Sequence, residues 1–415
     1  MPLSFAALFV SVILLQLSTG GLGPLDALSG LEIGFSASQI GLLGSAHFMG
    51  FFIGCWWSPR LIGNVGHARA FAAFTAMGVM GILGHVLTSS ALAWAMLRVA
   101  QGLCIAGCYT VIEAWLQAVV TNATRGRAMG AYRLADICAS LGAQMIISIL
   151  PPAHYISYTL LALVCCAALL PMTLMRIPQP ETPGAPRLHP SLAWKRSPLA
   201  VAGVLVAALS GASFRMVGPL YGTGVGLAAS QIAVLLAAFV AGGALSQYPV
   251  GWLADRFDRR HVLIWLSLAA IASCLFTALA SELSITGIML SAAIFGLTTF
   301  PIYSVAAAHA HDFATADERV ELSAALMFWY AVGAIAAPLV SSNLIAHFGP
   351  PALFVLIAIG HAGLIVFGLL RMRTRPSQAR TAYIYAPRTS FVIGRLLGRF
   401  RDRENPPQPS AKRDL

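Results

Sequence analysis

Charge is scarce in this sequence. Asp, Glu, Lys and Arg make up only 10% of its 415 residues, whereas a soluble domain carries about 25%. Hydrophobic residues make up 58%, and apolar runs of about 20 residues recur from end to end. Because so few charges cannot cover the surface of a soluble domain, the composition predicts a polytopic helical membrane protein. The alternating ten-residue pattern of a membrane β-barrel is lacking.

Motifs for several chemistries are lacking as well. The seven cysteines lie inside apolar runs without a Cys-x-x-Cys or Cys/His spacing, so we expect neither a disulfide nor a metal site. Without a Ser/His/Asp constellation or a Walker phosphate-binding loop, the chain is not expected to be an enzyme or to hydrolyse ATP. We therefore expect that the protein binds no cofactor and that any energy it uses comes from a gradient across the membrane.

Twelve apolar runs are predicted to cross the membrane, since each approaches or exceeds the roughly 20 residues that a spanning helix needs. The predicted spans are residues 4–28, 38–58, 68–88, 91–119, 126–149, 153–175, 198–221, 229–253, 260–280, 284–308, 320–345 and 350–371. The predicted fold is an all-α polytopic membrane protein with two pseudo-symmetric six-helix bundles. The predicted parts are an N-terminal bundle (1–175), a cytoplasmic linker (176–197), a C-terminal bundle (198–371) and a basic cytoplasmic tail (372–415).

Lys and Arg are unevenly distributed among the loops. Loops after even-numbered spans carry arginines such as Arg60, Arg125, Arg127 and Arg319, whereas loops after odd-numbered spans carry neither Lys nor Arg. By the positive-inside rule, both termini and the linker are predicted to be cytoplasmic. The net charge of +11 is then a signal of topology and not of nucleic-acid binding. The expected location is a cell membrane, with a bacterial inner membrane favoured.

The two halves of the sequence repeat each other. The segment that begins at Gly34 matches the segment that begins at Gly226, at an offset of 192 residues. Upstream, Gly23-Pro-Leu matches Gly218-Pro-Leu. Two matches at equivalent places indicate a duplication, and parallel halves are a known transporter architecture with the substrate site between them near the membrane midplane.

The loop between spans 8 and 9 holds five charges within ten residues, Gly251 to Arg260. It resembles motif A of the major facilitator superfamily, Gly-x-Leu-Ala-Asp-Arg-x-Gly-Arg-Arg. Asp258 replaces the second glycine of that motif, which removes the residue that most easily adopts a positive φ. The residues that match are Gly251, Leu253, Asp255, Arg256, Arg259 and Arg260.

Arg98-Val-Ala-Gln101-Gly102 in span 4 resembles motif B of the same superfamily. The resemblance covers nearly the whole chain and implies the superfamily fold and transport, without naming a substrate. Within the superfamily, the chain is similar to the YcaD-type branch. The similar residues are Glu113, Ala131-Tyr132, Gln144, Pro301, Ala308-His309-Ala310 and Gly333 to Pro338.

Two departures from the superfamily pattern bear on function. In the first-half copy of motif A, Gly63 stands where the repeat offset places Asp255, so that copy lacks the acid. Span 5 also lacks the Gly-x-x-x-Gly-Pro motif of drug/proton antiporters, which argues against drug efflux.

Ionisable residues inside spans are the first candidates for the solute and proton pathway. Each costs about 2.5–3.5 kcal/mol near mid-bilayer, so a functional role is the default hypothesis. The candidates are Asp26, Arg98, Glu113, Asp136 and Arg215. For Arg98 the resemblance implies proton movement or the opposition of an acid, and the alternative is a lipid-facing arginine that snorkels outward. Asp26 is expected either to pair with Arg215 near the outer gate or to lie in the outer water interface.

Arg133 and Asp136 lie three residues apart and share a helix face, and Glu113 on the preceding span is expected to reach Arg133. We interpret this group as structural or gating and not as substrate-binding. Protonation of a desolvated carboxylate there would depend on its arginine partner, which is the minimum requirement for proton coupling.

Further pathway candidates are Gln101, Tyr221, Tyr303 and His309. The two tyrosines each accompany a proline that opens a helix, and His309 lies near Asp312, although a lone helical histidine is more often a packing residue. Motif A is expected to form a cytoplasmic gate in which Asp255 pairs with Arg125 and Arg127. In the other half, Arg60 and Arg69 are expected to face the acids at the start of span 11.

These features together predict a secondary active transporter that moves a small organic solute by alternating access, with proton coupling. A solute receptor without transport and a passive facilitator are the alternatives. We expect a monomer in the lipid bilayer, with a small solute and protons as its partners. The sequence leaves open the substrate, the direction of transport, the coupling ion, and whether the tail is a surface helix or disordered.

Overall fold

The computed structural model describes residues 3–120, 125–174, 188–280, 284–315 and 317–374, and these residues form α-helices without any strand. Residues 85–87 form a short 3₁₀ turn. The helices are α1 (Leu3–Thr19), α2 (Leu22–Glu32), α3 (Ala37–Val65), α4 (His67–Gly84), α5 (Ala91–Val119), α6 (Arg125–Ile147), α7 (Tyr155–Ala167), α8 (Leu169–Thr173), α9 (Pro190–Arg196), α10 (Pro198–Gly224), α11 (Ala229–Arg256), α12 (Arg259–Ala280), α13 (Ile285–Thr299), α14 (Ile302–His311), α15 (Arg319–Phe348) and α16 (Ala352–Thr374).

Twelve helical segments match the predicted spans. Eleven of those described are long and apolar enough to cross a membrane, and α6, with 23 residues, is the twelfth. The sequence of α6 includes Arg133 and Asp136, which lower its hydropathy. The fold is therefore the predicted all-α membrane protein with twelve transmembrane helices.

Three predicted spans consist of two helices each. The first span breaks at Gly20 and Gly21, between α1 and α2, and the tenth breaks at Phe300 and Pro301, between α13 and α14. The sixth breaks at Ala168. Proline lacks a backbone N–H and glycine favours non-helical backbone, so the first two breaks occur where the sequence interrupts the helix most easily.

The repeat in the sequence reappears as repeated geometry. Gly34 has φ +90° and Gly226 has φ +82°, a left-handed conformation that glycine adopts without strain. The residue after each glycine donates a backbone hydrogen bond to a helix carbonyl, at 2.7 Å from Phe35 to Gly30 and at 2.9 Å from Leu227 to Gly222. The same turn therefore joins α2 to α3 and α10 to α11.

The helix crossings inside each half also correspond. A Cβ at Gly50 of α3 would overlap the carbonyl oxygen of Val99 on α5, and a Cβ at Gly242 of α11 would overlap that of Ala293 on α13. Glycine at these points lets two backbones touch, which is how membrane helices pack most closely.

The two halves meet through α3 against α15, α6 against α11, and α2 against α10. At the start of α3, the Ser38 hydroxyl donates to Asn343 Oδ1 at 2.6 Å. A Cβ at Gly41 would overlap the Ser342 hydroxyl of α15. These contacts lie opposite the end of the bundle that carries Arg60, Arg260 and Arg319, which we call the arginine-rich end. The halves are therefore in direct contact at the end opposite it.

Some local expectations need correction. The predicted linker contains α9, which packs on α15 because Trp329 Nε1 donates to the Pro190 carbonyl oxygen at 3.1 Å. Residues 176–187 of that linker lie outside the described residues, as does the tail from 375 onward. The turn at Asp258 has no positive φ. Instead, the Asp258 carboxylate accepts the backbone N–H of Arg260 at 3.0 Å and so caps α12.

Candidate functional site

A cavity of about 200 Å³ lies between the two halves. The breaks in the first and tenth spans both reach it, through Gly20 and Phe300. Its polar and charged wall residues are Gln16, Thr19, His47, Arg98, Tyr109, Arg133, Asp136, Ser140, Gln144, Arg215 and Tyr330. Its apolar wall includes Phe48, Phe51, Ile105, Met216, Phe239 and Phe300. Such a chamber can hold a small solute that is partly polar and partly apolar.

Arg98 of α5 reaches the cavity from a buried ion pair. Arg98 Nη1 lies 3.4 Å from Asp26 Oδ2, and the two side chains are only 2% and 1% exposed. Asp26 Oδ1 also accepts a hydrogen bond from the Tyr158 hydroxyl at 3.0 Å, and His85 Nε2 lies 3.4 Å from its other oxygen. The basic partner of Asp26 is therefore Arg98 and not the expected Arg215. Asp26 lies behind the cavity wall and not in an outer water interface.

Arg133 of α6 is shared by two carboxylates. Its Nη2 lies 3.4 Å from Glu113 Oε1, and its Nη1 lies 3.7 Å from Asp136 Oδ2. Glu113 is buried behind the wall, whereas Arg133 and Asp136 line the cavity. We expected a structural or gating cluster, but two of its three members face the space where a solute would sit.

Tyr109 of α5 connects this cluster to the first span. Its hydroxyl lies 2.7 Å from Asp136 Oδ1 and 2.6 Å from Gln16 Oε1. A hydroxyl has a single proton to donate. Both contacts are therefore satisfied when Asp136 carries a proton, or when the Gln16 amide is turned so that its nitrogen donates.

The second half contributes Arg215 of α10 to the wall. Its guanidinium carbon lies 5.7 Å from the centre of the Phe300 ring, at the break in the tenth span. The Phe300 ring lies 5.6 Å from that of Phe239, which also lines the cavity. The Sδ atom of Met216, the next residue on α10, lies 3.7 Å from Arg98 Nη2. Arg98 of the first half is thus in contact with α10, the helix that carries Arg215.

Six of the ten predicted pathway residues do not line the cavity: besides Asp26 and Glu113, which lie behind its wall, these are Gln101, Tyr221, Tyr303 and His309. Tyr221 packs on Phe354 with ring centres 4.9 Å apart, inside the second half. Tyr221 lies six residues after Arg215, which at about 100° per residue places it some 120° away on the helix. Tyr303 packs behind Tyr330, which reaches the cavity in its place.

Gln101 and His309 each contact a neighbour within their own half. Gln101 is buried and donates to the Gly78 carbonyl oxygen at 2.6 Å, so it joins α4 to α5. The His309 ring lies 5.1 Å from that of Phe313 at the arginine-rich end of α14. A polar residue inside a span can therefore face a neighbouring helix instead of the cavity.

His47 is a wall residue that composition alone did not single out. The repeat offset of 192 aligns it with Phe239, and both line the cavity. Both also lie where a helix backbone is crossed closely, since Cβ atoms at Gly102 and Gly296 would overlap their carbonyl oxygens. Comparison of the two repeats around these glycines could have identified the pair.

Motif A forms a network at the arginine-rich end. Buried Arg259 pairs with Asp312 of the α14 end and donates to the Ala308 carbonyl oxygen at 3.1 Å. Its Nη2 lies 3.6 Å from Asp255, whose side chain is 52% exposed. Gly251 is buried in α11, one turn before Asp255. The loop between α11 and α12 is thereby tied to α14 of its own half.

Two further arginines of the motif remain within the loop. Arg256 lies over the Trp252 ring, 5.4 Å from its centre, and Arg260 forms an ion pair with Asp258 at 2.7 Å. Burial alone would raise the pKa of Asp258, but the hydrogen bonds from Arg260 outweigh it and hold that pKa below its ordinary value. The side chains of Arg125 and Arg127, the expected partners of Asp255, lie outside the described residues.

One of the acids at the start of α15, Glu318, has a partner that differs from the expected Arg60 or Arg69. Glu318 pairs with Arg196 at the end of α9, and this hydrogen bond lowers the pKa of Glu318. Arg60 instead donates to the Trp56 carbonyl oxygen of its own helix at 2.8 Å and lies over the Trp56 ring. The basic group that faces Glu318 therefore comes from the connection between the halves.

Comparison with known proteins gives a consistent result. The family model of the Major Facilitator Superfamily matches residues 199–403. The uncharacterized MFS-type transporter YcaD of Escherichia fergusonii is 26% identical over 326 residues, which cover 77% of this chain and 83% of the relative. The uncharacterized MFS-type transporter YE1530 of Yersinia enterocolitica is 23% identical over 350 residues, which cover 83% of this chain and 88% of the relative.

Two solved structures share the fold. The nucleoside transporter NupG superposes with a TM-score of 0.73 at 13% identity, over 90% of this chain and 100% of NupG. A D-xylose-proton symporter superposes with a TM-score of 0.65 at 12% identity, over 94% of this chain and 98% of the symporter.

Proposed function

Since the chain belongs to the major facilitator superfamily, in its YcaD-like branch, we propose that it moves a small organic solute through the central cavity by alternating access, coupled to protons. The similar folds of a nucleoside transporter and a D-xylose-proton symporter support solute transport. We also propose that the arginine-rich end is cytoplasmic, by the positive-inside rule, and that the chain works as a monomer.

The observation that carries the proposal is that Asp136 and Glu113 share the guanidinium of Arg133. A nearby positive charge favours the ionised form of a carboxylate, so movement of Arg133 toward one acid favours protonation of the other. The groups that face the pair are Tyr109 and Gln16 beside Asp136, and Tyr132, whose ring lies 5.0 Å from the Arg133 guanidinium. Because Asp136 and Arg133 are on the cavity wall, a solute that contacts Arg133 changes which of the two carboxylates is more easily protonated.

The Asp136→Asn variant tests the coupling. Purified protein is reconstituted in liposomes, and uptake of a radiolabelled solute, chosen by a thermal-shift screen, is measured with and without an imposed pH gradient. In the wild-type protein, the gradient should accumulate the solute at least about tenfold, since a difference of one pH unit is worth 1.36 kcal/mol per proton. Asp136→Asn should retain solute exchange at equal pH but lose accumulation.

Asp258→Asn is the matched control, because it removes a carboxylate that lies in the loop between α11 and α12. It should accumulate the solute like the wild-type protein. Flux that ignores the pH gradient in the wild-type protein would identify a passive facilitator. Binding without flux in folded protein would identify a receptor, and either result would overturn the proposal.

A further inference from the structure

The cavity wall is rich in positive charge. Arg98, Arg133 and Arg215 contribute guanidinium groups, whereas Asp136 contributes the carboxylate that lines the cavity. Two of these arginines come from the first half and Arg215 comes from the second. Asp26 and Glu113, behind the wall, pair with Arg98 and Arg133 and partly offset their charge. The wall itself presents three guanidinium groups and one carboxylate to the cavity, so an anionic group of a solute would meet mainly cationic groups there.

Two buried polar atoms indicate where such a solute would bind. Arg98 Nε and His47 Nδ1 are fully shielded and have no hydrogen-bond partner among the described residues. The Arg98 and His47 side chains are more than nine-tenths buried, and both residues line the cavity. Buried polar groups are normally hydrogen-bonded. These two atoms are therefore suited to hydrogen bonds with a solute.

The second half completes this polar corner. His47 and Arg98 from the first half line the same cavity as Arg215 from the second. Met216, adjacent to Arg215, contacts Arg98 at 3.7 Å. An anion between the two arginines would touch both halves at once, which is the position that a substrate needs if its binding is to affect their relative arrangement.

Part of the remaining wall is apolar and aromatic, whereas Gln16, Thr19, Ser140 and Gln144 make another part polar. Phe239 and Phe300 stand beside Arg215, and Phe48 and Phe51 of α3 line the first-half side. A rigid apolar wall beside a cationic corner matches a molecule with an apolar body and one compact anionic group. A polyanion is a poorer match, because the Asp136 carboxylate faces the same space.

We propose that the transported solute is an organic monoanion with a carboxylate and an apolar body, and that Arg98 and Arg215 hold its carboxylate from opposite halves. This inference rests on the proposed function and specifies its substrate class. Guanidinium–carboxylate pairs form two parallel hydrogen bonds, so the site should distinguish a carboxylate from a neutral amide of the same shape.

A binding assay on the purified protein in nanodiscs tests the inference without requiring transport. The probes are benzoate, phenylacetate and hexanoate, each paired with its primary amide, and binding is measured by calorimetry and by the shift in unfolding temperature. At least one carboxylate should bind at least about tenfold more tightly than its amide, since hydrogen bonds to charged groups are worth about 1.5–3 kcal/mol. Equal binding of the amides, or no binding of any carboxylate, would overturn the inference.

Three variants separate specific recognition from general charge. Arg215→Gln should lower the affinity for the bound carboxylate by at least about tenfold, and Arg215→Lys should retain part of it. Arg60→Gln removes an arginine on Trp56, outside the cavity, and should leave the affinity unchanged. Equal losses in Arg215→Gln and Arg60→Gln would contradict the proposed site.

The outcomes also distinguish this inference from the proposed function. If a carboxylate binds as expected but does not cross liposome membranes, the proposed transport fails and the anion site stands. If a neutral solute is accumulated by a pH gradient and the carboxylates do not bind, transport stands and the anion site fails.

Discussion

At the scale of single residues, the buried ion pair of Asp26 and Arg98 is the contact whose contribution to the free energy of unfolding is easiest to measure. Each side chain is nearly inaccessible to solvent, and removing one partner of a buried pair leaves an uncompensated charge that costs about 3–5 kcal/mol. Asp26→Asn should therefore destabilise the protein by about that amount, as measured by equilibrium unfolding in mixed micelles.

The double variant Asp26→Asn with Arg98→Gln provides the check on this prediction. It removes both charges, so it should be less destabilised than the sum of the two single variants. Additive losses would mean that the two groups do not stabilise each other, and His85 or Tyr158 would then be the important partner of Asp26.

The sequence identified most of the important residues at this scale but fewer of their partners. Asp26, Arg98, Glu113, Asp136 and Arg215 stood out because ionisable residues are costly inside a membrane. Helix spacing and the short connection between spans 4 and 5 indicated that Glu113 and Asp136 meet Arg133, as the structure shows. The partners of Asp26 could not be inferred, because His85 and Tyr158 lie on other helices and ordinary periodicity does not report which helices touch. Tyr221 and Tyr303 were placed wrongly on the cavity because a nearby proline does not determine which face a side chain occupies.

At the scale of helices, close crossings depend on glycines whose roles differ with their position. Gly50 touches α5 within the first half, whereas Gly41 touches α15 across the interface between the halves. Gly50→Ala should lower stability by about 1–3 kcal/mol, because the backbone of Val99 cannot move away easily. Gly41→Ala should have a smaller effect on stability, since the halves can separate there, and should favour opening of that end.

Unfolding measurements and cysteine labelling check this pair. Labelling of Ser38→Cys, in a background without native cysteines, should be faster in Gly41→Ala than with Gly41. Gly363→Ala is the control, because a Cβ there meets no atom within 4 Å and should change neither stability nor labelling. Unchanged labelling in Gly41→Ala would show that this contact does not hold the halves together.

The sequence predicted the helices better than their interruptions. Hydropathy over a window of about 20 residues detects a span as one unit, so it does not resolve the breaks at Gly20 and Phe300. The same averaging gives α6 a lower hydropathy than the other spans, because it includes the charged residues Arg133 and Asp136. Both residues face the cavity instead of lipid. Low hydropathy within a span that topology requires is thus a sign that the helix lines the pathway.

At the scale of the whole molecule, the internal repeat made the fold predictable. The matches at Gly34 and Gly226 placed equivalent turns in both halves, and the structure forms the same hydrogen-bonded turn at each. The two halves differ where function is expected. Arg98 and Arg133 line the cavity from the first half, and Arg215 with its aromatic neighbours lines it from the second. Duplication explains the architecture, and divergence between the copies explains the chemistry of the cavity.

The same divergence affects the arginine-rich end. Motif A retains its acid between α11 and α12, where Asp255 contacts Arg259, but its first-half counterpart has Gly63 at the position of the acid. Arg259 also pairs with Asp312, so it remains compensated when Asp255 is neutralised. The predicted gate role of Asp255 can therefore be tested by a substitution that should leave its own half folded.

Asp255→Asn should shift the molecule toward the state that is open at the arginine-rich end, because it removes the charge expected to attract the basic start of α6. Accessibility labelling of single cysteines at both ends measures the shift, and the unfolding temperature should change little. Asp258→Asn is the matched control, since asparagine also caps a helix well and the change alters a charge in the same loop. If Asp255→Asn leaves the labelling unchanged, or if Asp258→Asn changes it equally, Asp255 is not a gate residue.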